Sequence, residues 1–254
     1  MILYHGEPNG PSLAALAALF ETGLDVELRR IDLLAGERHS ISGLTSPRAR
    51  DMGIEGEGPV LVIDGEAMTE SVFIAQYFDE AAGGAGLQPS DPFAHWQMLM
   101  WCRRVTERCA PAAAWLGCKA NAHGPLAAVS DEAFAALSGK IVSEDLRSRW
   151  ADIRAGNFPD GATGDSRTKV ADTVKMVEEQ LTDGRDWLMG DFSIADLETY
   201  GWLAGMDAFD NNPRTTAWLA RLKARPSVQR ALALATVADP ATAWAPGPEI
   251  NRWG

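Results

Sequence analysis

The hydrophobic pattern at the start of the chain predicts a strand, a helix and a second strand. Residues 2–5 are a short apolar run, and a turn rich in glycine and proline follows them. The helix is indicated by apolar residues at the i, i+3, i+4 and i+7 spacing of one buried face. These residues are Leu13, Leu16, Ala17 and Phe20. Gly23 is well placed to end the helix, and residues 26–31 alternate weakly, so the opening is typical of a β-α-β unit.

After a polar, irregular stretch, the pattern predicts two more strands and a second helix. Residues 59–69 form two β-rich runs around Asp64-Gly65, a dipeptide typical of tight hairpins. Apolar residues at helical spacing follow from Glu70 onward. Residues 1–82 are therefore predicted to form one domain in which β-β-α follows β-α-β.

A linker rich in glycine and proline, residues 83–92, separates this domain from a predicted all-helical domain at residues 93–238. The predicted helical segments are 93–122, 131–155, 167–182, 215–225 and 228–235, with another that begins at residues 193–196. Pro111 is expected to start a new segment or to kink the first one. Residues 239–254 have no clear period and are predicted to form a C-terminal tail.

The composition narrows the class of protein. The 254 residues are 46% hydrophobic and 23% charged, which suits a globular chain of one large domain or two smaller ones. The net charge of −12 should repel nucleic acid and anionic membranes, so we expect neither as a partner. No stretch approaches the roughly 18 apolar residues of a membrane span, and the first residues lack the pattern of a signal peptide.

Cysteine and histidine usage indicates neither a disulfide framework nor a metal site. The three cysteines, Cys102, Cys109 and Cys118, lie in one predicted helical stretch, and none of them forms a CxxC motif. The four histidines are not grouped at metal-ligand spacing. A reducing cytoplasm is the compartment that fits this composition best.

Motifs at the turns of the first domain carry candidate chemistry, and each also has an ordinary structural explanation. Pro59 precedes a strand, where it is either a simple strand-initiating proline or a cis-proline that turns the backbone of Val60 toward a peptide-like ligand. The second helix is either capped by Thr69 or Ser71, or uses Glu70 and Ser71 to hold the charged groups of an amino acid.

A third candidate, Ser12, lies after the first turn at the start of the first helix. Its hydroxyl is either another helix cap or a donor that stabilises a thiolate beside the helix dipole and so lowers the thiol's pKa. Taken alone, the position of Ser12 favours the cap.

The order of these motifs closely resembles a glutathione transferase over nearly the whole chain. The resemblance implies an α+β, thioredoxin-like N-terminal domain followed by an all-α domain, with glutathione as the cosubstrate. It implies that Val60 pairs with the cysteinyl backbone of glutathione and that Glu70 and Ser71 hold its γ-glutamyl end. It also implies that residues 193–196, Ser-Ile-Ala-Asp, form a helix-capping box. Dimers through the helical domain and the edge of the first domain are expected, with a second copy or a related subunit.

Three segments of the helical domain resemble the bacterial Lig-type β-aryl etherases. They are Trp96–Trp101, Ser143–Trp150 and Arg154–Pro159. The resemblance implies cleavage of β-aryl ether bonds in lignin-derived aromatic dimers. The glutathione thiolate would attack the carbon that bears the aryloxy group, and a phenolate would leave. The protein would supply a lowered thiol pKa, with Ser12 as the catalytic donor, together with positioning and a water-poor pocket, and no metal is needed.

Two residues depart from the etherase pattern and leave other functions open. Pro11 stands where this branch tends to have Asn, so an amide side chain and a backbone N–H are both missing there. Gly58 stands where a larger apolar residue is common. One alternative is therefore a weakly active or non-catalytic subunit of a heterodimeric etherase, and another is a general glutathione S-transferase that conjugates electrophiles.

The acceptor pocket for a small aromatic substrate is expected between the two domains, where clefts usually lie. Helical spacing suggests Trp101, Val105, Trp115 and Cys118 as residues that line it. Core packing is an equally good explanation of each of these four positions.

Overall fold

The computed structural model describes residues 1–45, 58–205 and 211–245. An N-terminal domain built on a mixed sheet is followed by a helical domain, as the sequence pattern predicts. Part of the polar stretch before Pro59 and the end of the tail, residues 46–57 and 246–254, lie outside the described residues.

The described part of the N-terminal domain contains a four-stranded sheet in the order β2-β1-β3-β4. The strands are β1 (Ile2–His5), β2 (Glu27–Arg30), β3 (Val60–Ile63) and β4 (Glu66–Met68). β1 pairs in parallel with β2 and antiparallel with β3, and β3 pairs antiparallel with β4. Asp64 and Gly65 both have positive φ angles, 50° and 87°, as a tight type I′ hairpin turn requires.

Helices α1 (Gly10–Thr22) and α2 (Ser71–Ala81) complete this domain. Gly23 ends α1 in the left-handed conformation and donates its N–H to the Leu19 carbonyl at 3.1 Å, as predicted. All of residues 10–19 are buried, not only the predicted stripe. The reason is that α1 packs against α2 and also against two helices of the second domain.

The second domain is mainly helical in its described residues. Its helices are α3 (Pro92–Arg104), α4 (Ala110–Gly117), α5 (His123–Ala127), α6 (Asp131–Ser138), α7 (Glu144–Ala155), α8 (Asp160–Gln180), α9 (Ile194–Leu203), α10 (Pro213–Lys223) and α11 (Pro226–Leu232). The helices that pack on α1 are α9 and α11. Across the described ranges, no helix is both long enough and apolar enough to cross a membrane.

The long first segment of this domain is interrupted by two π-helical turns, Val105–Cys109 and Cys118–Ala122. The first of them immediately precedes α4, where Pro111 occupies the first turn. Because proline lacks an N–H and its ring clashes with the carbonyl four residues earlier, the wider π turn relieves the strain that Pro111 would otherwise cause. The prediction of a new segment at Pro111 is therefore confirmed.

Two other predicted helices differ from the structure by more than three residues at one end or by a break inside them. The predicted helix over 131–155 is two helices, because Ser143 caps α7 by accepting a hydrogen bond from the Leu146 N–H at 3.2 Å. The helix predicted at 167–182 begins at Asp160 instead. Tertiary packing outweighs the poor helix propensity of its glycine-containing first turns, since Thr163 and Ser166 are buried.

The described part of the tail, up to Ala245, is packed against both domains. The Asn9 side-chain amide at the start of α1 donates to the Ala243 carbonyl at 2.8 Å. The Trp244 indole is buried, donates its N–H to Cys118 Sγ at 3.1 Å and stacks edge-on against Trp150. These contacts bring the tail across the junction of the N-terminal and helical domains.

Candidate functional site

Ser12 lies in the first turn of α1 and is not its cap. Asn9 occupies the cap position, and its side-chain oxygen accepts the Gly10 N–H at 3.0 Å. Ser12 is buried, and its Oγ accepts a hydrogen bond from the Gly6 N–H at 3.1 Å. Within the described residues the Ser12 hydroxyl hydrogen has no acceptor, so this O–H retains the capacity to donate.

The expected cis peptide before Pro59 is wrong: no peptide bond in the described residues is cis. A trans X–Pro bond is favoured by about 0.5–1 kcal/mol over a cis bond. The carbonyl of Gly58 accepts a hydrogen bond from the buried Arg38 guanidinium at 2.8 Å. Pro59 itself is buried at the entrance to β3.

Val60 begins β3 at a point where one side of the strand is open. It pairs with Tyr4 of β1, but the described ladder between β3 and β4 starts one residue later, at Leu61 and Met68. The Val60 side chain is fully buried, so what it offers on the β4 side is its backbone. An extended peptide can add to a sheet at such a position by main-chain hydrogen bonds.

The start of α2 is also not capped in the expected way, because neither Thr69 nor Ser71 occupies the cap position. Glu70 occupies it and makes no side-chain capping hydrogen bond. Its φ of 68° and ψ of 116° are a positive-φ conformation that a residue with a side chain adopts only at a cost of about 1–3 kcal/mol. Strained residues of this kind are concentrated at functional sites, and Glu70 is solvent-exposed.

The buried Ser71 hydroxyl contacts a residue that the sequence analysis missed. It donates to Glu198 Oε2 at 2.7 Å, and the Trp202 indole N–H donates to Glu198 Oε1 at 3.1 Å. Burial raises the pKa of Glu198, and the nearby charge of Glu70 raises it further. Glu198 lies in the middle of α9, every residue of which is buried, and no local signal in the sequence links it to Ser71.

The predicted capping box at the start of α9 is confirmed. Asp196 accepts the backbone N–H of Ser193, while the Ser193 side chain pairs with the first turn of the helix. Asp196 also accepts the Leu188 N–H at 3.0 Å and the Trp218 indole N–H at 2.9 Å. Burial raises the pKa of Asp196 to about 6 despite these donors.

A cavity of about 460 Å³ lies between the two domains, beside the start of α1. Its wall comes from α1, the α4 region, α8, α9 and the tail. The lining residues are Asn9, Ala113, Leu116, Gly117, Lys119, Ala120, Asn121, Thr163, Arg167, Gly201, Trp202, Gly205, Ala241, Ala243 and Ala245. The cavity size is within the ordinary range for small-molecule sites.

None of the four residues predicted to line the acceptor pocket is part of the wall of this cavity. Trp101 donates to Thr199 Oγ1 and lines a separate depression on α3 and α8. Val105 is fully buried in the core, and Cys118 accepts the tail indole. Trp115 lies behind the cavity wall, where its indole N–H donates to Thr163 Oγ1 at 3.4 Å. The π turn at Val105–Cys109 changes the helical phase of Trp115 and Cys118 relative to the residues before it, which regular spacing could not predict.

Comparison with known proteins identifies the family. Residues 1–80 match the model of the glutathione S-transferase N-terminal domain. The protein LigF of Sphingobium sp. is 30% identical over 245 residues, which cover 89% of this chain and 91% of LigF. The chain belongs to the glutathione S-transferase family.

The similarity to other glutathione S-transferases extends over both domains. The crystal structure of the beta-etherase LigF from Sphingobium sp. superposes with a TM-score of 0.79 at 27% identity, and covers 91% of this chain and 98% of LigF. A glutathione transferase from Methylococcus capsulatus has a TM-score of 0.61 at 25% identity, over 91% of this chain and 97% of its own. A glutathione S-transferase of Hyoscyamus muticus is 24% identical over 236 residues, 90% of this chain and 96% of the relative.

Proposed function

We propose that this transferase uses glutathione to cleave β-aryl ethers of lignin-derived aromatic dimers. Its similarity to the beta-etherase LigF extends over both domains and supports this reaction class. The observation that carries the proposal is the Ser12 O–H, which is free to donate at the start of α1. Pro11, the preceding residue, lies against Gly58 at the entrance to β3, so the start of α1 and the open backbone of Val60 adjoin each other.

Each part of glutathione has a candidate partner in this arrangement. The backbone of Val60 pairs with the cysteinyl residue, as the open side of β3 allows. The uncapped start of α2 attracts the α-carboxylate of the γ-glutamyl end through its N–H groups and dipole. Glu70 attracts the ammonium group of the same end. The sulfur then lies near Ser12 and the positive end of α1.

The reaction needs a thiolate, a positioned ether and an exit for phenolate. A free thiol has a pKa near 8.5, so a hydroxyl donor and a helix N-terminus increase its thiolate fraction at neutral pH. The thiolate attacks the carbon between the ketone and the aryloxy oxygen. A C–S bond forms as the C–O bond breaks, and phenolate leaves with the bonding electron pair and takes a proton from water. The products are a phenol and a glutathione thioether.

The test is phenol release from a β-aryloxy ketone by the purified protein and glutathione, with Ser12→Ala beside wild type. We expect Ser12→Ala to lower kcat about tenfold or more, because a charge-assisted hydrogen bond to the thiolate is lost. Ser130→Ala is the matched control, since Ser130 caps the distant helix α6 and accepts the Ala133 N–H. Equal turnover of Ser12→Ala and wild type would contradict the role of Ser12, and absence of phenol would contradict etherase activity.

Two other functions remain as candidates. Pro11 beside Gly58 favours a subunit with a weakened site that acts as a heterodimer with a related subunit. This candidate would be supported if the wild-type chain is inactive alone but active after mixing with such a subunit. Ser12→Ala should then have no effect on the activity of the mixture. General conjugation by a glutathione S-transferase predicts turnover of a chromogenic electrophile without release of phenol from ethers.

A further inference from the structure

The cavity between the domains contains two cations and no acidic side chain in its described wall. Lys119 comes from the second π turn and Arg167 from α8. In the described part of the chain, neither makes a hydrogen bond or an ion pair. The whole chain has 35 acidic and 23 basic residues, so an excess of positive charge in this cavity is opposite to its overall balance.

The rest of the wall suits the flat, apolar body of an aromatic ligand. Leu116 and the ring of Trp202 contribute apolar surface, and Asn121 and Thr163 contribute neutral polar groups. The Trp202 indole N–H is already bound to Glu198, so its ring rather than its N–H is available to a ligand. The wall therefore offers an apolar surface for rings together with uncompensated positive charge.

We propose that this cavity selects aryl ethers that carry a carboxylate, which Arg167 and Lys119 bind. The inference rests on the proposed function, since it names the acceptor class of the same site. Arg167 supplies a planar fork that matches a carboxylate, and Lys119 supplies a second charge. Asn9, which caps α1, also lines the cavity, so the bound acceptor lies next to the helix start that carries Ser12.

A binding experiment tests this without any chemistry. Calorimetry compares 4-hydroxy-3-methoxybenzoate, a carboxylated phenol of the expected product class, with its methyl ester, on the full chain with glutathione present. We expect wild type to bind the acid about tenfold more tightly than the ester, and Arg167→Gln and Lys119→Gln each to abolish most of that preference. Lys169→Gln is the matched control, because Lys169 is on the same helix but pairs with Asp165 and does not line the cavity.

A kinetic comparison then separates this inference from the proposed function. The kcat/KM ratio for a carboxylated β-aryl ether over its methyl ester should fall about tenfold in Arg167→Gln and remain at the wild-type value in Lys169→Gln. Equal binding of acid and ester by wild type, or an unchanged preference in both cavity variants, would overturn the inference whether or not ethers are cleaved. A preference in binding without ether cleavage would overturn the proposed function and leave the carboxylate site supported.

Discussion

Pro11 and Gly58 are the two residues that depart from the etherase pattern, and they are neighbours in the folded chain. A Cβ atom added at Gly58 would lie 3.7 Å from Pro11 Cγ, which is van der Waals contact. A longer side chain in that direction would press on the proline ring. We infer that the small residue at 58 accommodates the ring at 11, so the two departures are one local change.

Replacing Pro11 by Asn should strengthen the site, because it restores both a side-chain amide and a backbone N–H near the sulfur. We expect Pro11→Asn to lower the pKa of bound glutathione and to raise kcat by up to about tenfold, the effect of one charge-assisted hydrogen bond. The pKa is measured from the ultraviolet absorbance of the thiolate. Pro92→Asn is the control, since Pro92 is in the first turn of the remote helix α3. A thiol pKa that rises or stays constant in Pro11→Asn would contradict this explanation.

Glu70 allows its charge and its strained backbone to be tested separately. Glu70→Ala and Ser71→Ala should each weaken glutathione binding by about 1–3 kcal/mol. Glu70→Ala removes the partner of the ammonium group, and Ser71→Ala removes the hydroxyl that holds Glu198 beside the start of α2. Glu70→Gly should bind glutathione as weakly as Glu70→Ala does. It should unfold at a higher urea concentration than Glu70→Ala, since glycine adopts a φ of 68° without strain. Calorimetry and urea titration measure the two effects.

Asp64→Gly is the control for Glu70, because Asp64 also has a positive φ, 50°, but lies in the hairpin turn. Asp64→Gly should leave glutathione affinity unchanged, because the hairpin turn is not part of the proposed site. Unchanged affinity in both Glu70→Ala and Ser71→Ala would mean that this helix start does not hold glutathione.

At the scale of single residues, the sequence supplied candidate residues but did not predict what they contact. The motif order led to Val60, Glu70 and Ser71. In the structure, Val60 lies at an open side of β3 and Glu70 has a positive φ angle. The motif order could not predict Glu198, because its contact with Ser71 spans 127 residues of sequence. The cap that the sequence left open for Ser12, and for Thr69 or Ser71, is not formed, because several polar residues compete near each helix start and their neighbours in space decide among them.

The capping box of α9 is an element whose stability should depend on pH. Burial raises the pKa of Asp196 from 3.8 to about 6, so the folded chain binds a proton more tightly than the unfolded chain. The corresponding stability is therefore fully present below about pH 4 and is lost as pH rises toward 6. Asp196→Asn removes this dependence and should also destabilise the fold by about 1–3 kcal/mol, because an amide has one acceptor oxygen where both carboxylate oxygens accept from buried N–H groups.

Urea titrations of wild type and Asp196→Asn at pH 4.5, 5.5 and 7 measure this effect as a difference. The free energy of unfolding of wild type minus that of the variant should be larger at pH 4.5 than at pH 7. The subtraction cancels the pH dependence of the titratable groups that both proteins share. A difference that is constant over this range would contradict a raised pKa at Asp196.

The order of the elements followed from the sequence, but their packing changed several bounds. The hydrophobic periodicity predicted α1 with one buried face. It did not predict that α1 is buried on all sides, because that burial results from packing against α9 and α11. A close approach at this contact explains Gly201: a Cβ there would lie 2.5 Å from the Gly10 carbonyl oxygen. The π turns and the extended start of α8 depend on such tertiary contacts, which periodicity does not contain.

At the scale of the whole molecule, exposed aromatic residues lie on both domains. Phe93 and Trp96 of α3 are stacked with ring centres 5.4 Å apart, yet 64% and 53% of their surfaces are exposed, and Met100 is 41% exposed on the same helix. Phe73 of α2, in the first domain, is 57% exposed. Grouped large apolar side chains at a surface are typical of contacts between proteins.

We predict that these side chains form the interface of a dimer in which α3 of one copy packs on the first domain of the other. Light scattering should give twice the mass of the chain at micromolar concentration. Trp96→Glu should shift the equilibrium to monomer, because it introduces a charge where the predicted dimer buries an aromatic ring. Aromatic residues are among those that contribute most to the free energy of binding at interfaces. Val142→Glu is the matched control, since Val142 is a 71% exposed apolar residue between α6 and α7. A wild-type monomer at micromolar concentration, or equal masses for Trp96→Glu and Val142→Glu, would contradict the predicted interface.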